Sequence, residues 1–132
     1  MADSIQNEAG VLRQNSAGYF HLIWLPGSTN QTAVQQLLET LLQQLQQTGC
    51  TRLLSDQRQL GAYKDELVSW LVVDWLPRTV AMPYLQRMAI LPPTQLYVRM
   101  QTTYLFEEAF SRYGLVSRTF QKQEDAIAWL LE

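Results

Sequence analysis

Cysteine and histidine are almost absent from this chain, whose 132 residues contain one of each, Cys50 and His21. A lone cysteine cannot form an internal disulfide, which excludes a disulfide scaffold and agrees with a reducing compartment. Protein metal sites usually combine several histidine and cysteine ligands. The sequence therefore predicts no metal site, and we expect a cytoplasmic location.

Long apolar runs are also lacking. The most apolar stretch, residues 70–76, is far shorter than the roughly twenty residues of a membrane-spanning helix and contains Asp74. Residues 1–8 lack the basic segment followed by an apolar one that export signals carry. We expect a soluble protein without an export signal or a transmembrane segment.

Neither sign of charge dominates the chain. The formal net charge is −2, charged residues make up 17% of the chain, and the arginines are scattered along it. Proteins that bind phosphate backbones carry clustered positive charge, so no nucleic-acid partner is expected. The apolar content of 47% is ordinary for a globular protein, and the length fits a single domain over residues 1–132.

Motifs that bind cofactors or build active sites are missing as well. The glycines fall singly at turns, so the chain has no phosphate-binding loop, nucleophile elbow or dinucleotide fingerprint. The paired carboxylates Glu107-Glu108 and Glu124-Asp125 are adjacent in sequence and project in different directions from a helix. The sequence predicts no cofactor, no catalytic residues and no enzymatic activity.

The chain does contain short apolar runs that alternate with helical spacings. Apolar runs predict strands at residues 19–25, 51–56, 87–91 and 115–120. The more polar residues 5–14, two short segments separated by Gly10, are predicted to pair with residues 19–25 as an edge strand. Helical spacing predicts helices at residues 32–48, 63–76, 95–113 and 124–131.

The boundaries of these helices carry their own signals. Thr29 or Asn30 can cap the first helix, and Gly49 can close it. Pro77 is predicted to stop the second helix. Residues 95–113 form either one helix or two. The order of elements predicts an α/β fold, with a mostly parallel sheet of about five strands, helices packed against it and an antiparallel N-terminal edge strand.

Several short motifs support a family resemblance. They are Trp24, Leu53-Leu54-Ser55-Asp56 with Arg58 and Gly61, Trp70 with Trp75-Leu76-Pro77, Met88-Ala89-Ile90-Leu91-Pro92, and Phe120 with Glu124-Asp125-Ala126-Ile127-Ala128-Trp129-Leu130. With them the chain resembles the STAS and SpoIIAA-like group along nearly its whole length, most of all a bacterial branch of STAS-domain proteins without an assigned activity. The resemblance implies STAS topology and a non-enzymatic module of regulatory complexes, such as the anti-sigma-factor antagonists.

One feature of those antagonists is missing here. In them, a serine at the start of the helix after the third strand accepts a phosphate. The matching region, residues 56–63, contains no serine or threonine, and Ser55 and Ser69 do not match that position. This departure argues against a serine-phosphorylation switch at that place.

Asp56 and Arg58 are the first candidate site residues. They share a loop at the carboxyl end of a predicted strand, where α/β sheets tend to place ligand contacts. The structural alternative, which we favour, is that Asp56 caps backbone N–H groups and pairs with Arg58. His21 lies among apolar neighbours in a predicted buried strand, so we expect a hydrogen-bonded core residue and neither a metal ligand nor a general base.

The helix that carries Trp70 and Trp75 is the second candidate. At about 100° per residue the two indoles point about 140° apart, so they cannot both face one sheet. Trp70 shares a stripe with Tyr63, whereas Val72 and Trp75 need other cover. Another part of the same chain, a bound apolar molecule or a second copy of the protein could supply that cover.

Two functional hypotheses follow. The first is a protein-interaction or regulatory module of STAS-like fold whose partner is unknown, with self-association into a homodimer through the Trp70–Trp75 helix as one form of it. The alternative is a carrier of a small apolar molecule or lipid, in a cleft lined by Tyr63, Trp70, Trp75, Tyr97 and Tyr104. The candidate binding residues are Asp56, Arg58, Tyr63, Trp70, Val72 and Trp75.

Overall fold

The protein is built around one β-sheet. The computed structural model describes residues 4–81 and 84–132, so the start of the segment 1–8 lies outside the described residues. Six strands form one sheet in the order β1-β2-β3-β4-β5-β6. They are β1 Ser4–Gln6, β2 Gly10–Asn15, β3 Tyr19–Trp24, β4 Arg52–Asp56, β5 Arg87–Leu91 and β6 Val116–Thr119.

The sheet is mixed, because its first three strands pair antiparallel and β3 to β6 pair parallel. The α/β class is therefore confirmed. Six strands are present where about five are expected, because the N-terminal segment forms two. A turn separates them, in which the side chain of Asn7 accepts a hydrogen bond of 2.8 Å from the N–H of Ala9. The short β1 occupies the edge of the sheet.

The two faces of the sheet are covered unequally. The strands β3 to β6 follow one another in sequence order across the sheet. Because connections between parallel strands share one handedness, the helices between these strands all lie on the same face of the sheet. The large core on that face includes Leu22, Leu53 and Ile90. The other face carries a small cluster around Leu54, which packs against the last helix, α5 (Gln123–Leu130).

The first helix, α1, spans Gln31–Thr48 and begins one residue before its predicted start. The side chain of Asn30 accepts a hydrogen bond from the N–H of Ala33 at 3.1 Å, which confirms one of the two predicted caps. Gly49 ends the helix with a φ of 71°, the left-handed conformation that glycine adopts without strain. Seven small or apolar residues of α1 are buried: Ala33, Val34, Leu37, Leu38, Leu41, Leu42 and Leu45.

The prediction that Pro77 stops the second helix is wrong. The helical run begins at α2 (Asp65–Trp70), continues through a π-helical segment (Leu71–Trp75) and ends with α3 (Leu76–Val80). In the π-helical segment the N–H of Leu76 bonds to the carbonyl of Leu71, five residues back. The next donor in that register would be residue 77, and proline has no N–H.

The hydroxyl of Tyr113 replaces that missing donor. It donates a hydrogen bond of 2.6 Å to the carbonyl of Val72. The chain thus passes through Pro77 without leaving this carbonyl unpaired, and the helix can continue.

Residues 95–113 form one helix, α4 (Leu96–Tyr113). Thr102 does not interrupt it, because its hydroxyl donates to the carbonyl of Arg99 within the same helix at 3.1 Å. Gly114 ends α4 with a φ of 74°. The inward face of α4 buries Val98, Thr102, Leu105 and Ala109.

Candidate functional site

Asp56 and Arg58 form an ion pair at the carboxyl end of β4. The guanidinium donates two hydrogen bonds to the carboxylate, Nε to Oδ1 at 2.9 Å and Nη2 to Oδ2 at 2.7 Å. The backbone N–H of Arg58 also donates to Oδ1 at 3.2 Å. Burial alone raises the pKa of Asp56, but the hydrogen bonds and charge of Arg58 outweigh it, so the pKa of Asp56 lies below its usual value. This arrangement is the cap and ion pair that we favour from the sequence.

His21 lies near this pair, on the same face of the sheet. The register pairs His21 with Leu54, two residues before Asp56, so alternation along β4 directs His21 and Asp56 to one side. Burial lowers the pKa of His21, the charge of Asp56 partly opposes that effect, and the charges of Arg13 and Arg58 add to it.

The expectation of a hydrogen-bonded His21 is wrong at one ring nitrogen. The buried Nε2 atom has no hydrogen-bond partner among residues 4–81 and 84–132. His21 is half-buried, because α5 packs mainly against β4 and β5 on this face of the sheet and Tyr19 is the β3 residue buried in the cluster beneath it. The two-residue alternation of β3, with Phe20, Leu22 and Trp24 facing the large core, could have revealed this orientation.

A cavity of about 60 Å³ lies between the other face of the sheet and the helices. It brings together two of the candidate residues, Tyr63 and Trp75, with residues from the strands and from α4. Its walls are mostly buried and apolar, and only Tyr63 and Phe106 among its lining residues are half-buried. The volume suits a few water molecules or a small organic group.

Three polar side chains meet at the wall of this cavity. The hydroxyl oxygen of Ser55 accepts hydrogen bonds from Trp24 Nε1 and from Gln57 Nε2, both at 3.2 Å. Gln57 is 5% exposed, and its Oε1 atom has no partner within the described residues. A buried acceptor of this kind costs stability unless a donor meets it, so the cavity favours an occupant that carries an O–H or N–H group.

Tyr63 closes the same cavity. Burial raises the pKa of its phenol strongly, so the hydroxyl stays protonated near neutral pH. The side chain of Gln101 on α4 holds the backbone of Tyr63, since it accepts from the N–H at 2.9 Å and donates to the carbonyl at 2.8 Å. The position of Tyr63 therefore depends on α4.

Other candidate residues are covered by the chain itself. Trp75 is 5% exposed and donates from its indole Nε1 to the carbonyl of Leu38 on α1 at 3.0 Å. Val72 is also buried, and the half-buried Trp70 packs against the large core. Of the alternatives for covering Trp75, the structure contains the one in which the same chain supplies the cover, so Trp75 offers no surface to a partner.

Tyr97 and Tyr104 lie outside the cavity. Both belong to α4 and are exposed, and they border a surface groove together with Val68 and Met100. The five aromatic residues proposed for one cleft therefore separate. Tyr63 and Trp75 line the cavity, Tyr97 and Tyr104 border the surface groove, and Trp70 lines neither.

Three strongly exposed apolar residues lie on the outward side of α4. Leu96 is 70% exposed, Met100 65% and Phe110 64%. Together with Thr103 and Glu107 they recur at steps of four and three residues, which aligns them along one side of a helix. We call this set the α4 stripe: Leu96, Met100, Thr103, Glu107 and Phe110. Its spacing is visible in the sequence, but a second apolar stripe on α4 faces the core.

No helix within residues 4–81 and 84–132 combines the length and hydrophobicity that are needed to cross a bilayer. The described part of the chain also holds no group of three His, Cys, Asp or Glu side chains placed to share a metal ion. Comparison with protein-family models, curated proteins and solved structures finds no match for this chain.

Proposed function

We propose that this chain is a non-enzymatic protein-interaction module of STAS-like fold, and that the α4 stripe is its interaction surface. The observation that carries the proposal is the exposure of Leu96, Met100 and Phe110 on one side of a single helix. Exposed apolar residues that are scattered singly are common on proteins, whereas apolar patches mark interaction surfaces. The family resemblance and the sequential order of the strands support the STAS-like part of the proposal. A cytoplasmic location belongs to the same proposal.

Affinity capture from the source cells tests this function. Met100→Glu places a charge within the stripe without touching the core, because Met100 is 65% exposed. We expect partner proteins held by the wild type to be lost with this variant. Ile5→Glu is the matched control, since Ile5 is also exposed but lies on β1, at the opposite edge of the sheet from β6.

The outcome depends on comparing the two variants. Proteins that are lost with Met100→Glu and kept with Ile5→Glu support the α4 stripe as the interaction surface. Equal capture by the wild type and Met100→Glu would refute it, provided that circular dichroism shows both variants to be folded.

The cavity supports a second candidate function, the carriage of a small molecule with an apolar body and one hydrogen-bond donor. The specific observation is the buried Oε1 atom of Gln57, which has no partner within the described residues, at the wall of a mostly apolar cavity. Tyr63 and Phe106, the half-buried lining residues, are placed to form its entrance. Apolar pockets with a few placed polar groups are typical of small-molecule sites.

Native mass spectrometry of freshly purified protein tests this candidate. We expect a retained small molecule, and we expect Ala109→Met to displace it, because Ala109 lines the cavity and a longer side chain would fill it. The control is Ala62→Met, since Ala62 is exposed. Repeated preparations without any bound molecule would argue against the carrier.

A further inference from the structure

The α4 stripe lies on the side of α4 that is turned away from the rest of the chain. The inward residues Val98 and Leu105 pack in the large core. At 100° per residue, Thr103 points about 140° away from Val98, so the stripe faces solvent. No other described element of this chain covers it, as the exposure of Leu96, Met100 and Phe110 shows.

Two opposite charges accompany the stripe. Arg99 flanks it and Glu107 lies within it, and neither forms an ion pair within residues 4–81 and 84–132. The guanidinium of Arg99 is held in place, because its Nε and Nη2 donate to the carbonyl of Pro93 at 3.1 and 2.9 Å. Its remaining N–H groups can still meet a carboxylate. Arg112 is engaged with Glu108 instead, at 3.1 Å.

Four residues on or beside the stripe are arranged symmetrically about Thr103. Arg99 and Glu107 lie four residues before and after it, and Leu96 and Phe110 lie seven residues before and after it. If two α4 helices pack antiparallel with Thr103 at the centre, Arg99 of one copy is level with Glu107 of the other. Leu96 is then level with Phe110. The short side chain of Thr103 allows the two helices to approach closely at the crossing point.

From this symmetry we propose that the partner of the α4 stripe is a second copy of the same chain, docked antiparallel about a two-fold axis at Thr103. The proposal rests on the proposed function of the stripe as an interaction surface. A two-fold interface requires a self-complementary patch, which the pairs Arg99–Glu107 and Leu96–Phe110 supply. A parallel pairing would place arginine beside arginine and glutamate beside glutamate, so charge complementarity selects the antiparallel one.

Sedimentation velocity over a wide concentration range, at low ionic strength, tests the proposal. We expect the wild type to form a reversible dimer, because two crossing helices make a small interface. Arg99→Glu and Glu107→Arg should each raise the dimer dissociation constant about tenfold, since each places like charges together in two symmetric pairs. The double variant Arg99→Glu/Glu107→Arg should restore dimerisation, with the net charge of the wild type.

Two results would overturn this inference. A wild type that stays monomeric at every concentration removes the second copy as partner, and a double variant as weak as the single ones removes the antiparallel pairing. Both residues are exposed, so the variants should fold, and circular dichroism checks this. If the wild type is monomeric but Met100→Glu still loses captured proteins, the inference fails while the proposed function stands.

Discussion

At the scale of single residues, the pKa of His21 is sensitive to the charges on the face of the sheet where α5 packs. It is the only histidine in the chain, so its imidazole signals in a proton NMR spectrum need no assignment by mutation. Burial lowers its pKa from the ordinary value of 6.5, and Asp56 acts in the opposite direction. The charge network around Asp56 and Arg58 can therefore be measured through one side chain.

We predict that NMR titration places the pKa of His21 below 6.5, and that Asp56→Asn lowers it further. The variant removes the one charge that raises the pKa of His21 and leaves Arg13 and Arg58, which lower it. Arg52→Gln, on the same strand but not among these charges, serves as the control. An unchanged or higher pKa in Asp56→Asn would contradict the geometry described for this face.

The lowered pKa of His21 also predicts how stability changes with pH. The unfolded chain takes up a proton near pH 6.5, whereas folded His21 takes it up only at lower pH. The unfolded state therefore binds more protons between the two pKa values, and the free energy of unfolding should fall as the pH decreases below about 6.5. Asp56 acts in a separate range, because its stabilising effect is complete above its ordinary pKa of 3.8 and is lost at lower pH.

Urea unfolding of the wild type and His21→Gln between pH 7.5 and pH 5 measures this effect. The variant should lack the part of the pH dependence that His21 contributes. Identical slopes of the free energy of unfolding against pH in the two proteins would show that His21 titrates alike in the folded and unfolded states.

At the scale of elements, the helical run continues past Pro77, although proline is expected to end a helix. Proline stops a helix when the hydrogen bond that it cannot make leaves a carbonyl unpaired. Here the π-helical segment shifts the bonding to five residues, and Tyr113, from a helix far along the chain, supplies the donor for Val72. A prediction from the residues around Pro77 cannot include the hydrogen bond from Tyr113, because Tyr113 is distant in sequence.

We predict that Tyr113→Phe lowers the free energy of unfolding by about 1–3 kcal/mol, because the carbonyl of Val72 loses its donor. Tyr104→Phe is the matched control. Tyr104 is exposed and its hydroxyl is 3.4 Å from Glu108, so its loss should change stability by less than about 0.5 kcal/mol. Equal effects of the two substitutions, measured by urea unfolding, would refute the role given to Tyr113.

The remaining elements were largely predictable because their signals are local. Residues 87–91 form β5 as predicted, and α1 differs from its prediction by one residue. The orientation of α4 was not predictable in the same way, because two stripes of apolar residues run along it. Only packing against the sheet decides that Val98 and Leu105 face inward while Leu96 and Phe110 face solvent.

At the scale of the whole molecule, exposed apolar residues lie on α4, whereas Trp75 is buried. The pattern around Trp70 and Trp75 leaves open whether the same chain, an apolar molecule or a second copy covers Trp75, and the structure shows that α1 does so within the same chain. Helices stacked on one face of a sheet cover each other's sides, and their outer faces stay open. Most of the large apolar residues that the described helices leave exposed lie on α4, and we propose that a second copy covers the α4 stripe.

Distances between spin labels test this arrangement most directly. In a Cys50→Ser background, one label per chain is attached at Thr103→Cys or at Leu96→Cys, and the distance between the two copies is measured at concentrations that favour dimers. Antiparallel packing about Thr103 predicts close labels at position 103. It predicts labels at position 96 that are farther apart, because the two sites are separated by about 21 Å along the helix axis. Sedimentation velocity first identifies the labelled chains that still form dimers. In such dimers, equal short distances at both positions, or no dipolar coupling at position 103, would contradict the account.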